Sequence, residues 1–110
     1  MQATTTTQGA LLNLLSSQGT REYGFITVVG EIQNISNQKL EDAEVVVIFY
    51  DKENNLVITA EALIQYNPIM PGQTYPFTVM TTDNPLITKE KIAFQFLFGG
   101  QINTRNSQHK

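Results

Sequence analysis

The 110-residue chain has no cysteine. That excludes a disulfide framework and every cysteine-based metal or nucleophile site, but leaves the compartment open. It has no excess of basic charge: Lys and Arg number 7 against 10 Asp and Glu, a formal net charge of −3. Nucleic acid is therefore an unexpected partner, since its phosphates call for a basic face. No apolar run approaches the roughly 20 residues of a membrane span, and no basic amphipathic stretch suits a bilayer surface, so direct membrane insertion is not expected. The start, Met1-Gln2-Ala3-Thr4-Thr5-Thr6-Thr7, has neither the basic opening nor the apolar core of a signal peptide. It reads as a spacer, or as the beginning of a piece cut from a longer chain. Histidine is also scarce. The single one, His109, stands one residue from the end, where an imidazole is poorly placed for metal binding or acid–base work.

What the chain does have is β-branched and aromatic residues in short runs. The densest is Ala43–Asp51, Ala-Glu-Val-Val-Val-Ile-Phe-Tyr-Asp, followed at once by the turn cluster Asp51–Asn55. Apolar on both faces, it reads as the central strand of a sheet, covered at least in part on both sides. Leu56–Ile64 alternates after the turn, so the two runs predict a β-hairpin closed by Asn54-Asn55, both tolerant of positive φ. Upstream, Leu11–Leu15 between Gly9 and Gly19 predicts a first strand, and Phe25–Ile35 a second. Gly30 sits on an apolar face of that second strand, implying a bulky neighbour close by or a bulge.

Ser36–Asp42 reads as a solvated loop. Pro71-Gly72 has the composition of a type II turn, with proline presetting the first corner and glycine supplying positive φ at the second. The strand after it contains Pro76, which cannot donate to a ladder and so marks an edge or a strand start. Ile92–Phe98 predicts a last strand with Ile92, Phe94, Phe96 and Phe98 on one face. Six to seven short strands, with no long helical pattern, predict an all-β antiparallel sandwich. The expected organisation is a flexible leader over 1–9, one sandwich domain over 10–100, and a flexible tail over 101–110.

Val29-Gly30-Glu31-Ile32-Gln33-Asn34, followed by Val47-Ile48-Phe49-Tyr50-Asp51 and then by Pro71-Gly72 and Phe77, resembles the FxLYD family of prokaryotic domains. The resemblance spans about Gly24 to Phe98. The Phe-x-Leu-Tyr-Asp run is matched in part: Tyr50-Asp51 is kept, Phe49 stands where Leu is usual, and Val47 where the first Phe is usual. The resemblance implies an immunoglobulin-like fold and an extracytoplasmic setting in exported, membrane-anchored or lipid-anchored proteins of unassigned function. The shared residues look like fold determinants. Gly30 admits a neighbour, Asn34 satisfies backbone groups where its strand ends, Asp51 closes the hairpin, and Pro71-Gly72 fixes a corner.

Candidate chemistry is thin. Asp51, Glu53 and Asn55 have the alternating oxygens that open a calcium loop, but Leu56 and Ala62 stand where its glycine and closing glutamate belong. Asp51 with Glu53, or Glu41 with Asp42, are adjacent loop carboxylates, unlike the facing pair that glycoside hydrolysis needs. Ser16, Ser17, Ser36 and Ser107 have no base nearby in sequence. Asn34-Ile35-Ser36 is a glycosylation sequon. Tyr23, Tyr50, Tyr66 and Tyr75 either form a recognition surface or line the core rim with wet hydroxyls. No catalytic, cofactor-binding or metal-binding residue is expected. The expected role is protein contact through loops or an edge strand, or spacing. A calcium or carbohydrate site at the Asp51–Asn55 end is the alternative.

Overall fold

A computed structural model describes residues 9–108 of the chain. The expected leader, apart from Gly9, and His109 lie outside the described residues. Among the described residues seven strands build two sheets: β1 (Leu12–Glu22), β2 (Phe25–Asn34), β3 (Ala43–Tyr50), β4 (Leu56–Leu63), β5 (Thr74–Thr82), β6 (Lys89–Phe96) and β7 (Thr104–Asn106). One sheet has the order β5-β2-β1-β7, the other β4-β3-β6. All ladders are antiparallel except that of β1 with β7. The fold is an all-β sandwich.

Period-two alternation places the core between the layers. On β3, Ala43, Val45, Val47 and Phe49 are buried, facing Ile26, Val28 and Ile32 of β2 and Phe77 and Val79 of β5 across the interior. Phe77 and Phe94 meet edge to face, their centroids 5.6 Å apart. β3 is central in its sheet, as its composition predicts. Its outer face is half-buried at Val46, Ile48 and Tyr50, with only Glu44 buried there, held by a hydrogen bond from Gln95 Nε2.

Gly30 answers to both physical readings at once. Opposite it, β1 carries a β-bulge: Leu14 pairs with Ile32 and Ser16 with Glu31, leaving Leu15 as the extra residue. A Cβ on Gly30 would collide with the Ser16 carbonyl and stand 2.6 and 2.8 Å from Cζ and Cε2 of Phe77. At the sharp corner Met70–Gln73, Gly72 has φ 79° and the Gln73 N–H donates to the Met70 carbonyl, the type II arrangement. Pro76 lies on β5, an edge strand.

Three expectations are corrected. β1 does not stop at Gly19 but runs to Glu22, because β2 is long enough to pair with all of it. The last predicted strand begins at Lys89 and ends at Phe96, since the Gly99 N–H donates to the Phe96 carbonyl and Gly99-Gly100 turns the chain back. Phe98 is consequently 84 % exposed. Finally, 101–108 is not a frayed tail. Ile102 is buried in the core, β7 pairs with Leu12–Leu14, and the Ser107 N–H donates to the Leu14 carbonyl, so the sandwich extends past residue 100.

Candidate functional site

The connections β1–β2, β3–β4 and β5–β6 come together at one end of the sandwich, because Phe25 pairs with Thr82 and Tyr50 with Lys89. The other three connections, including the Phe98 turn, lie at the opposite end. At the first end the residues Glu22-Tyr23-Gly24-Phe25 make a two-residue hairpin turn with φ 55° at Tyr23 and 81° at Gly24. Positive φ at both centres is the type I′ signature that suits the twist of the paired strands. Glycine takes it freely; tyrosine takes it against a steric cost. Yet among the described residues no hydrogen bond or ring contact of the Tyr23 side chain compensates, and the residue is 95 % exposed.

The tip is held in place. The Asp83 N–H donates to the Gly24 carbonyl at 2.9 Å. Arg21 Nη2 donates to the Ile87 carbonyl at 2.6 Å, while its Nε stands 3.1 Å from Asp83 Oδ1. That oxygen has no aligned donor, so its attraction to Arg21 is electrostatic. Around Tyr23 the same end exposes Phe25, Leu56 and Leu86.

The Asp51–Asn55 turn also lies here, and its polar atoms are engaged internally. Asp51 Oδ1 accepts the N–H groups of Glu53 and Asn55 at 2.9 and 2.8 Å, and Oδ2 accepts Asn55 Nδ2 at 3.2 Å. The Asn55 backbone N–H, above all, holds the Asp51 carboxyl below its ordinary value; the side chain of Asn55, the Glu53 N–H and the charge of Lys89 add to this. Lys89 Nζ donates to Asn54 Oδ1, and Asn54 has φ 68°. Asp51 is therefore a clasp for the turn. Among the described residues no three His, Asp or Glu side chains gather as metal ligands.

Asn34 is fully buried and sits at the opposite end of β2. Its Nδ2 donates to the Gln38 and Ile69 carbonyls at 2.9 and 2.8 Å, and its Oδ1 accepts the Ser36 N–H and Oγ at 2.9 and 2.7 Å. All the hydrogen-bonding capacity of the amide is in use, so the sequon nitrogen is out of reach in the folded chain.

The four tyrosines divide. Tyr75 is a rim residue: its ring packs on the core and its hydroxyl accepts the Met70 N–H at 3.2 Å. Tyr66 stacks on Tyr75 with centroids 5.1 Å apart, and Tyr50 is half-buried on the outer face of β3. Only Tyr23 is both free of the core and rigidly mounted. Its prominence was invisible to composition, although the pair Tyr23-Gly24 between two alternating runs is a hairpin signal.

A shallow groove of about 290 Å³ opens between β1 and β6, lined by Gly19, Arg21, Ile26, Phe49, Lys89 and Glu90 among others. No family model, no curated protein and no solved structure matches the chain in comparison.

Proposed function

We propose that the chain is a non-enzymatic, immunoglobulin-like module of the FxLYD kind, belonging to an exported or surface-anchored prokaryotic protein, and that it works by protein contact at the Tyr23 end. The immunoglobulin-like reading is supported by the partition of strands. The first, second and fifth share one sheet, and the third and sixth the other, as in an immunoglobulin fold, while the fourth lies beside the third and the seventh beside the first. Gly30, Asn34, Asp51 and Pro71-Gly72 have the structural roles that their chemistry suggests, a close approach, a strand-end cap, a turn clasp and a corner.

One observation carries the contact reading. A tyrosine occupies a backbone conformation that disfavours it, at the tip of a clamped hairpin, with its whole ring in water. Folding gains nothing from that placement, whereas an amphipathic ring on a rigid mount is what an interface anchor requires. The non-enzymatic reading is supported by the groove beside β1, where Arg21 and Lys89 are committed to holding neighbouring loops. The calcium alternative at Asp51–Asn55 is the less favoured reading, because Asp51 Oδ1 already accepts two backbone N–H groups of the turn.

Tyr23→Asn separates binding from folding. Asn-Gly is the preferred type I′ pair, so the variant should be at least as stable as the wild type. Immobilised wild type should retain a protein from the envelope fraction of the source organism that Tyr23→Asn does not. Equal retention, or none by either with monomeric behaviour, would favour a spacer.

A further inference from the structure

We infer that β4 pairs edge to edge with β4 of a second copy of this chain, joining the two β4-β3-β6 sheets into one. Among the described residues the sandwich has four edge strands. β5 is interrupted by Pro76, β7 is three residues long, and β6 opens with Lys89-Glu90-Lys91. β4 has none of these blocks. From Ile58 to Leu63 it carries no proline, glycine or lysine, and its one charge is Glu61. The bulge in its ladder, with Val57 as the extra residue between the Phe49–Ile58 and Tyr50–Leu56 pairs, lies outside that segment.

Register decides which backbone groups face outward. The Ile64 N–H donates to the Ala43 carbonyl at 2.9 Å, so Ala43 and Ile64 form a hydrogen-bonded pair. Alternation then turns the backbone of Ala62, Ala60 and Ile58 toward β3, and the N–H and C=O groups of Leu63, Glu61 and Thr59 toward the outside. No described backbone group meets them there, and all three residues are exposed. In one register this edge is complementary to itself. A two-fold axis at Ala60, normal to the sheet, sets Thr59 of one copy opposite Glu61 of the other, and the reverse, each pair exchanging both backbone bonds. On the outer face the Thr59 hydroxyl then reaches the Glu61 carboxylate of the other copy. On the inner face the two Ala60 methyls meet at the closer, non-hydrogen-bonded spacing, and Ala62 covers Ile58, which is 38 % exposed in the single chain. An axis at Glu61 would oppose like charges, and one at Ala62 would shorten the ladder and set Glu61 against Leu63. That self-complementarity selects a second copy as the occupant.

The surface is separate from the Tyr23 end. One edge buries less than the roughly 1,200 Å² of a standard interface, so association is weak, with a Kd of about 0.1 mM. Sedimentation of the full chain from about 10 μM to about 1 mM should show a monomer passing into a dimer. Over that range amide exchange at Thr59 and Glu61 should slow about fourfold, as the unpaired fraction falls, while Ala60 and Ala62, already bonded to β3, change little. Thr59→Lys should tighten the dimer about threefold or more, because each lysine then faces a glutamate, and Thr59→Glu should loosen it to a similar degree. Both variants change an exposed side chain, so both should melt close to the wild type when dilute. Tyr23→Asn should leave association unchanged, so the two proposals fail separately. A monomer at the highest concentration, a shift in the same direction for both Thr59 variants, or protection elsewhere than β4 would overturn the inference. So would full protection of Thr59 and Glu61 at the lowest concentration, which would assign the edge to another segment of the same chain. Protection of a chain that stays monomeric by a capped valine–threonine peptide would assign the edge to a foreign strand and overturn it equally.

Discussion

Replacing Gly30 by alanine tests the packing of the sandwich at its tightest point. The added methyl has no room on either side, since the Ser16 carbonyl occupies its position and the Phe77 ring stands within 2.8 Å. Two relaxations are conceivable. Phe77 can rotate, but it is buried and braced edge-on against Phe94. The Ser16 carbonyl belongs to the backbone just past the β1 bulge, so moving it disturbs the pairing with Glu31 and Gly30. Overpacking a core costs about 1–3 kcal/mol, and a backbone obstacle puts Gly30→Ala at the upper end, about 3 kcal/mol. For a domain of this length that lowers the melting temperature by about 12 °C or more. Urea unfolding followed by circular dichroism reads the change in midpoint at unchanged slope. The double variant with Phe77→Leu should recover less than half of the loss, because the carbonyl clash remains. A loss below about 0.5 kcal/mol, within the range of ordinary surface substitutions, would refute the reasoning.

Asn34→Ala leaves the Gln38 and Ile69 carbonyls without their donor, and should cost about 3 kcal/mol by the same unfolding assay. Ile102→Ala should cost about 2–4 kcal/mol as a core truncation, whereas Phe98→Ala, only four residues earlier but exposed, should change stability by less than about 0.5 kcal/mol. Asp51 gives a pH signature. Its carboxyl is held below the ordinary 3.8, chiefly by the Asn55 backbone N–H, so the folded chain takes up that proton less readily than the unfolded one. The stabilisation is fully present above about pH 4 and is lost as the pH falls through the depressed folded value. Asp51→Asn should therefore flatten the acid limb of the stability curve, as measured by melting temperature against pH.

The parts of the fold that were legible in the sequence are those whose cause is local. The β3 run, the Asn54 hairpin, the Pro71-Gly72 corner and the crowding at Gly30 each rest on side-chain chemistry or on a backbone demand at one position. Asn34 was legible as a strand-end cap, though not as a fully buried knot, because its partners Gln38 and Ile69 come from separate loops. β7 was illegible for the opposite reason. Three polar residues carry no periodicity of their own, and they become a strand only through an edge that lies about ninety positions away. At Phe98 the alternation continued past the point where Gly99-Gly100 reverses the chain, so pattern and pairing parted company. Of the candidate site, the four tyrosines were visible as a set. Which one stands clear of the core depends on strand pairing and on Arg21 reaching the β5–β6 loop, neither of which leaves a mark on composition.

The claim that matters most is that contact is made at the Tyr23 end, on a fold that does not depend on the contact. A photo-crosslinking phenylalanine analogue at position 23, with the same analogue at exposed position 98 as the opposite-end control, tests it directly. The account predicts that position 23 traps one discrete partner protein from the envelope fraction and position 98 traps none. Equal trapping at both ends, or trapping at 98 alone, would contradict it.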